Sequence, residues 1–313
     1  MDHANERSEN LWQILDQRQT ATVVLETVIV SLVMLLSLFG NLLVCFVVYR
    51  NPRLRQPSNY YIISLALSNL LQGLFTMPLS VGMLATGDWR YGTSACHFIA
   101  ISMLSLASTS IFTMTLMALN IYFKIVKPPK YRNTFTKKFI IVTGALAWIA
   151  PILNSILTVF AFGFDVRPHP GLAICKIELR RLHFSILIIF QNTPFFVIMF
   201  CYWKIYKVVK MHNADVAWQN LNAEEVKISK TLFATVFGFV ILWIPANIIL
   251  LPSYLMVDSF NFPRVISVIA TLLVFTSSCL NPFIYALMNG ALRNEFKKCL
   301  ILRKPQSVGR DSN

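Results

Sequence analysis

Charge is nearly missing from long stretches of this chain. Only 13% of its residues are Asp, Glu, Lys or Arg, against 56% that are hydrophobic, a balance that soluble domains of this length do not show. Seven apolar segments, placed at residues 21–49, 59–85, 96–123, 139–162, 182–206, 228–256 and 263–288, contain one acid between them, Glu26, near the start of the first. A pump or channel needs ionisable groups along its path through the membrane, so that class has little support. Metal-ligand spacings, a nucleophile with a neighbouring base, and phosphate-binding loops are missing too. No enzymatic activity, cofactor or metal is therefore expected. There is no internal repeat to suggest an inverted-repeat transporter. Residues 1–20 are polar where a cleavable signal peptide would be apolar, so the first segment is expected to act as its own insertion signal.

What is present is length without charge. Each of the seven segments exceeds the ~20 residues needed to cross a bilayer core. The expected fold is an all-α membrane protein, a seven-transmembrane helix bundle with a short amphipathic C-terminal surface helix. Residues 1–20 are expected to form a short extracellular tail, 21–290 the bundle, and 291–313 the surface helix and cytoplasmic tail. In that last segment Leu292, Phe296, Leu300 and Ile301 make an apolar face flanked by Arg293, Lys297 and Lys298.

Lys and Arg stand between the segments or at their ends, and they favour one side. Arg7, Arg18, Arg90, Arg167, Lys176, Arg180, Arg181 and Arg264 lie on one side, and the remaining twenty of the 28 on the other. The positive-inside rule makes the richer side cytoplasmic and the N-terminus extracellular, in a multi-pass plasma-membrane protein. The net charge of +14 is explained by basic loops against anionic membrane lipids, so it is no argument for nucleic acid.

The last segment carries Asn281-Pro282-Phe283-Ile284-Tyr285, and marks of the same kind run in order through the others: Gly40-Asn41, Leu65-Ala66 and Pro78, Cys96, Trp148, Pro194 and Tyr202, then Phe239 with Trp243-Ile244-Pro245. Together these resemble the rhodopsin-like (class A) G-protein-coupled receptors over nearly the whole chain. The resemblance implies a receptor that takes an extracellular ligand in the outer half of the bundle and passes a conformational change to a heterotrimeric G protein. It also implies a disulfide between Cys96 and Cys175. Cys299, on the surface helix beside two lysines, is a candidate for palmitoylation. The implied switch residues are Ile111, Pro194, Phe239, Trp243, Pro245, Asn281, Pro282, Tyr202 and Tyr285.

Two departures from the family pattern stand out. The span-two acid that helps to hold sodium is replaced by Asn69, although Ser110 and Asn281 are present. Where the family has Asp-Arg-Tyr, the chain reads Asn120-Ile121-Tyr122. The G-protein-facing set is then Asn120, Ile121, Tyr122, Lys124 and Glu225, with Lys124 as a substitute partner for Glu225. Loss of the arginine raises an alternative, a binding or scavenging receptor with weak or lost coupling.

The ligand-facing set implied by the family is Met103, Leu104, Ala107, Trp243, Ala246, Asn247, Leu250, Thr271 and Phe275. It is mostly apolar. Amine receptors need an acid where Met103 stands, since a buried ammonium requires an opposite charge, and opsins need a lysine where Phe275 stands. The expected ligand is therefore a lipid-like or neutral aromatic small molecule, or a short peptide that engages the loop around His169, Lys176, Glu178, Arg180 and Arg181.

Overall fold

The computed structural model describes residues 10–52, 59–161, 164–178, 181–211, 223–255, 263–288 and 290–300. The seven expected spans are helices. They run Thr20–Arg50, then Asn59–Phe75 continued by Met77–Thr86, Gly92–Val126, Lys137–Ile156 continued by a wider turn at Leu157–Ala161, Arg181–Met211, Ala223–Leu255 and Arg264–Met288. Six are long and apolar enough to cross a membrane on their described residues. Arg181–Met211 completes the set.

Burial reveals how they pack. In the third span 72% of the most apolar window is buried, against 22% in the first and fourth, so the third is the axis and those two lie at the periphery. Leu25, Leu32, Leu35, Phe39 and Leu42 of the first span are exposed, whereas its Ser37 and Asn41 are fully buried. A helix surrounded by lipid gains nothing by hiding its leucines and must satisfy its polar groups inward. That inversion is what a bundle in hydrocarbon requires.

Proline occurs within several of the spans. The second span breaks at Thr76, two residues before Pro78, whose missing N–H and ring interrupt the helical ladder. Pro151, Pro194 and Pro282 sit inside continuous helices. Gly40 of the first span lies so close to Pro282 of the seventh that a Cβ there would stand 2.9 Å from the proline ring. Glycine at this position permits the two helices to touch.

At one end of the bundle the chain between the fourth and fifth spans forms an antiparallel hairpin, β1 (Val166–His169) paired with β2 (Ile174–Ile177). This is called the hairpin end below, and the other the basic end. At the basic end a helix at Gly290–Leu300 buries Leu292 and Phe296 and exposes Arg293 and Lys297, the amphipathic arrangement its sequence predicts. Ile301 lies outside the described residues, and the Leu300 and Lys298 side chains are likewise undescribed. Cys299 is half-buried and packs against the main core.

The N-terminal segment departs from a simple polar tail. Residues 10–16 form a helix at the hairpin end. Its Leu15 is 1% exposed and packs with Met77, Met83 and Leu84 of the second span, Leu172 and Ala173 of the hairpin, and Phe275 of the seventh span. Trp12 covers the same cluster.

Candidate functional site

A cavity of about 170 Å³ opens below the hairpin. The third span lines it with Ala100, Met103, Leu104 and Ala107, and the sixth with Trp243, Asn247 and Leu250. Thr271 and Val274 of the seventh complete the far wall. Seven of the nine residues expected from the sequence therefore meet around one space. Ala246 and Phe275 do not line it, and both are fully buried. Ala246 is packed within the main core, while Phe275 is drawn into the cluster around Leu15.

Other walls were not anticipated. The hairpin supplies Leu172, Ile174, Cys175, Lys176 and Ile177, and the fifth span supplies the amides Gln191 and Asn192. Two polar amides side by side in an otherwise apolar helix were the available signal for that wall. Among the described residues Lys176 is the one charged residue of the lining, and no acid lines it. Of the other loop residues singled out from sequence, His169 turns inward to accept from the Leu172 amide, at 3.2 Å. Arg180 and the Arg181 side chain lie outside the described residues.

The roof is tied down from two sides. Cys96 and Cys175 are disulfide-bonded with Cα atoms 5.4 Å apart, joining β2 to the start of the third span. Thr271 Oγ1 donates to the Leu172 carbonyl at 2.9 Å, which fixes the hairpin turn to the seventh span.

Beside the roof, Glu26 is clasped by two guanidiniums. Arg264 donates to it through two hydrogen bonds of 2.7 and 2.6 Å, and Arg18 through one of 2.6 Å. Arg18 also donates to the Leu15 carbonyl at 2.8 Å and to the Leu84 carbonyl. Both arginine side chains are only 4% exposed. Glu26, the one acid of the seven apolar segments, is thus already neutralised, and it holds together the N-terminal helix and the first and seventh spans.

A stacked column descends from the cavity floor. Trp243 donates from its indole to Ser277 Oγ at 3.0 Å and stacks on Phe239, with ring centroids 4.9 Å apart. Phe239 in turn faces Phe195 at 6.0 Å. Ile111 is buried in the same core, and Pro194 is buried next to Phe195. Pro245 faces outward. Its ring lies on the lipid side of the continuous sixth-span helix.

Alongside this column runs a polar layer with no carboxylate among the described residues. Ser110 Oγ lies 3.3 Å from Asn69 Oδ1 and 2.9 Å from Ser68 Oγ. Asn41 Nδ2 donates to the Ser278 carbonyl at 2.9 Å, and Ser278 Oγ donates to Gln72 Oε1 at 2.7 Å. Asn281 is buried among these elements.

At the basic end Asn120, Ile121 and Tyr122 are all buried, Ile121 in the main apolar core with Leu232, Val236 and Tyr285. Tyr202 stands edge-on to Phe233 at 5.0 Å. Lys124 holds its ammonium 5.9 Å from the centre of the Tyr131 ring. The Glu225 side chain, its expected partner, lies outside the described residues.

A seven-helix bundle with a disulfide-tied roof, an apolar cavity beneath it and a tryptophan column leading away defines a membrane receptor. Residues 40–285 match the family described as 7 transmembrane receptor (rhodopsin family), and the chain belongs to that family. It is 28% identical to the octopamine receptor beta-2R of Chilo suppressalis, covering 88% of this chain and 79% of that one. To the histamine H2 receptor of Homo sapiens it is 26% identical, over 91% and 81%. The melatonin receptor type 1A of Gallus gallus is also 26% identical, over 90% and 80%. The fold is similar to that of squid rhodopsin, with a TM-score of 0.81 at 20% identity, covering 93% of this chain and 88% of the other. The protein is thus a multi-pass G-protein-coupled receptor, not an enzyme, that binds an extracellular ligand and signals to the cytoplasm. A ligand-scavenging protein without coupling is not favoured.

Proposed function

We propose that the ligand is a small, uncharged, mainly apolar molecule with hydrogen-bonding groups, held beneath the hairpin against Met103, Leu104, Ala107, Trp243, Asn247, Leu250 and Thr271. One observation carries this reading: among the described residues no acid lines the cavity, and Glu26, the one acid of the seven apolar segments, is held by Arg18 and Arg264. A protonated amine would have to be desolvated there without a counter-charge and beside Lys176. Relatives named for octopamine and histamine therefore share the frame, whereas the relatives named for melatonin are the better guide to chemistry. Gln191, Asn192 and Asn247 supply amide donors and acceptors for such a ligand. The volume is below the ~300–1,000 Å³ of sites for drug-sized ligands, which disfavours a peptide lying wholly inside. Phe275 has no amine with which to form a retinal imine.

The hairpin end faces outward and the basic end faces the cytoplasm, as the distribution of Lys and Arg supports. There Ile121, Tyr122, Lys124 and the sixth span meet the G protein. In this reading Trp243 and Phe239 shift when ligand presses on the cavity floor, and Pro245 and Pro282 let the sixth and seventh spans bend. A panel of neutral indole amides and aryl amides, set against octopamine and histamine, tests the ligand class by G-protein nucleotide exchange. Neutral compounds should activate the receptor, and Met103→Asp should shift the response toward amines. Activation by amines in the parent, retained in Glu26→Gln, overturns the reading.

A further inference from the structure

At the basic end, three ammonium groups and three aromatic rings form one unbroken chain of contacts across two spans. Lys127 holds its Nζ 5.8 Å from the centre of the Tyr122 ring. Tyr122 of the third span meets Phe200 of the fifth, with centroids 6.1 Å apart. Lys204 lies over both Phe200, at 5.7 Å, and Trp203, at 5.0 Å. Lys207 then sits 4.0 Å over the same indole.

The fifth-span part of this array looks out of the bundle, while Tyr122 is 7% exposed and backs it from the core. Phe196, Met199, Phe200 and Trp203 repeat at helical spacing and are 75%, 63%, 49% and 48% exposed, while Ile198 and Cys201 on the opposite side are buried in the core. A lipid-facing stripe that ends in tryptophan and lysine marks the boundary between hydrocarbon and headgroups. No acid occurs in residues 123–138 or 189–211. Among the described residues, no ion pair engages Lys127, Lys204 or Lys207. The cations are held over ring faces, which attract them without neutralising them.

We infer that this cation and ring array is a docking site for an inositol phospholipid of the inner leaflet whose headgroup carries several phosphates. A headgroup with one net charge is matched by one ammonium, and a diffuse anionic surface needs no fixed geometry. Three ammoniums spread over one rigid strip match separate phosphomonoesters, each carrying about −1.5 to −2. The rings anchor the acyl region below. A G protein approaches the cytoplasmic mouth of the bundle, whereas Phe200 and Trp203 face outward from it. The assignment to the inner leaflet rests on the orientation proposed above.

The full chain in nanodiscs tests the inference, with bilayers of phosphatidylcholine alone, with phosphatidylserine, or with phosphatidylinositol bisphosphate at equal bilayer charge. Lipid retained by the protein is counted by native mass spectrometry. The bisphosphate lipid should be retained in preference to phosphatidylserine, and Lys204→Gln with Lys207→Gln should weaken that retention roughly 30-fold, about fivefold per lysine. Lys204→Arg with Lys207→Arg should keep it, which separates lost charge from lost fold. Lys137→Gln with Lys138→Gln, outside the array, should leave it unchanged. Equal retention of phosphatidylserine, or retention indifferent to the Gln pair, overturns the site. So does unchanged retention accompanied by lost G-protein binding, which would make the array a protein contact. Both faces of a nanodisc are accessible, so the result does not depend on orientation, which tag accessibility on intact cells checks separately.

Discussion

Arg264, the first residue of the seventh span, grips Glu26 of the first through two hydrogen bonds of 2.7 and 2.6 Å, across 238 residues of sequence. Arg18 adds a third bond from the other side, so the carboxylate keeps two buried guanidiniums together. Removing the acid leaves two cations facing each other. Glu26→Gln should therefore destabilise the receptor by about 3–5 kcal/mol, the usual cost of leaving buried charge unpaired, and thermal unfolding of the purified protein measures it. Restoring balance with Arg18→Met and Arg264→Met in the same chain should recover most of the loss. Equal stability of Glu26→Gln and the parent would count against the clasp.

The Cys96 to Cys175 bond closes a sequence separation of 79 and carries a wall of the cavity on one of its two cysteines. Cys175→Ser should reduce stability by about 3–4 kcal/mol and weaken ligand binding together with surface expression. Surface-expressed Cys175→Ser with unchanged affinity would show that the hairpin holds its place by Thr271 and apolar packing alone.

The polar layer around Asn69 bears on cation sensitivity. Dehydrating sodium among neutral amides and hydroxyls has no carboxylate to offset it. Exchanging sodium for potassium should leave both the melting temperature and ligand affinity of the parent unchanged. In Asn69→Asp, sodium should add about 1 kcal/mol, a few degrees in melting temperature. A sodium-specific shift in the parent would contradict this.

Ile121 offers only apolar contact at the position where the family carries arginine. Ile121→Arg should raise agonist-driven nucleotide exchange about tenfold, on the scale of one charged hydrogen bond. Adding Asn120→Asp should keep that gain while lowering basal exchange, because the acid restrains the arginine at rest. Strong exchange by the parent that Ile121→Arg abolishes would mean that the buried isoleucine itself completes the docking surface.

Spans and surface helix were legible in the sequence because each has a local signature, apolar length or helical spacing, whereas the disulfide was implied by the family resemblance, which places a cysteine at Cys96 and at Cys175. The pocket was legible in part. Met103, Leu104 and Ala107 share one helical face, and so do Trp243, Asn247 and Leu250, but which residues meet the space depends on each helix's rotation. Phe275 illustrates this, because Leu15, Met77 and Leu84 offer it a drier site than the cavity wall. The hairpin's contribution was hidden, since nothing local says that the Leu172 carbonyl will meet Thr271, 99 residues away. The clasp was hidden for the same reason. Arg18 and Arg264 read as loop charges until the fold places both beside Glu26.

The confinement of charge to the two ends of the bundle has an electrical consequence. A unit charge crossing the whole membrane potential exchanges about 2.3 kcal/mol per 100 mV, which is how depolarisation biases proteins with ionisable groups in the field. Here the middle of the spans contains no Asp, Glu, Lys or Arg, and the sodium-binding acid of the family is Asn69. Rearrangement of Trp243, Phe239 and the sixth span then carries almost no charge through the field. Under voltage clamp, agonist potency should be the same at resting and depolarised potentials, so that the receptor reports its ligand independently of the electrical state of the cell.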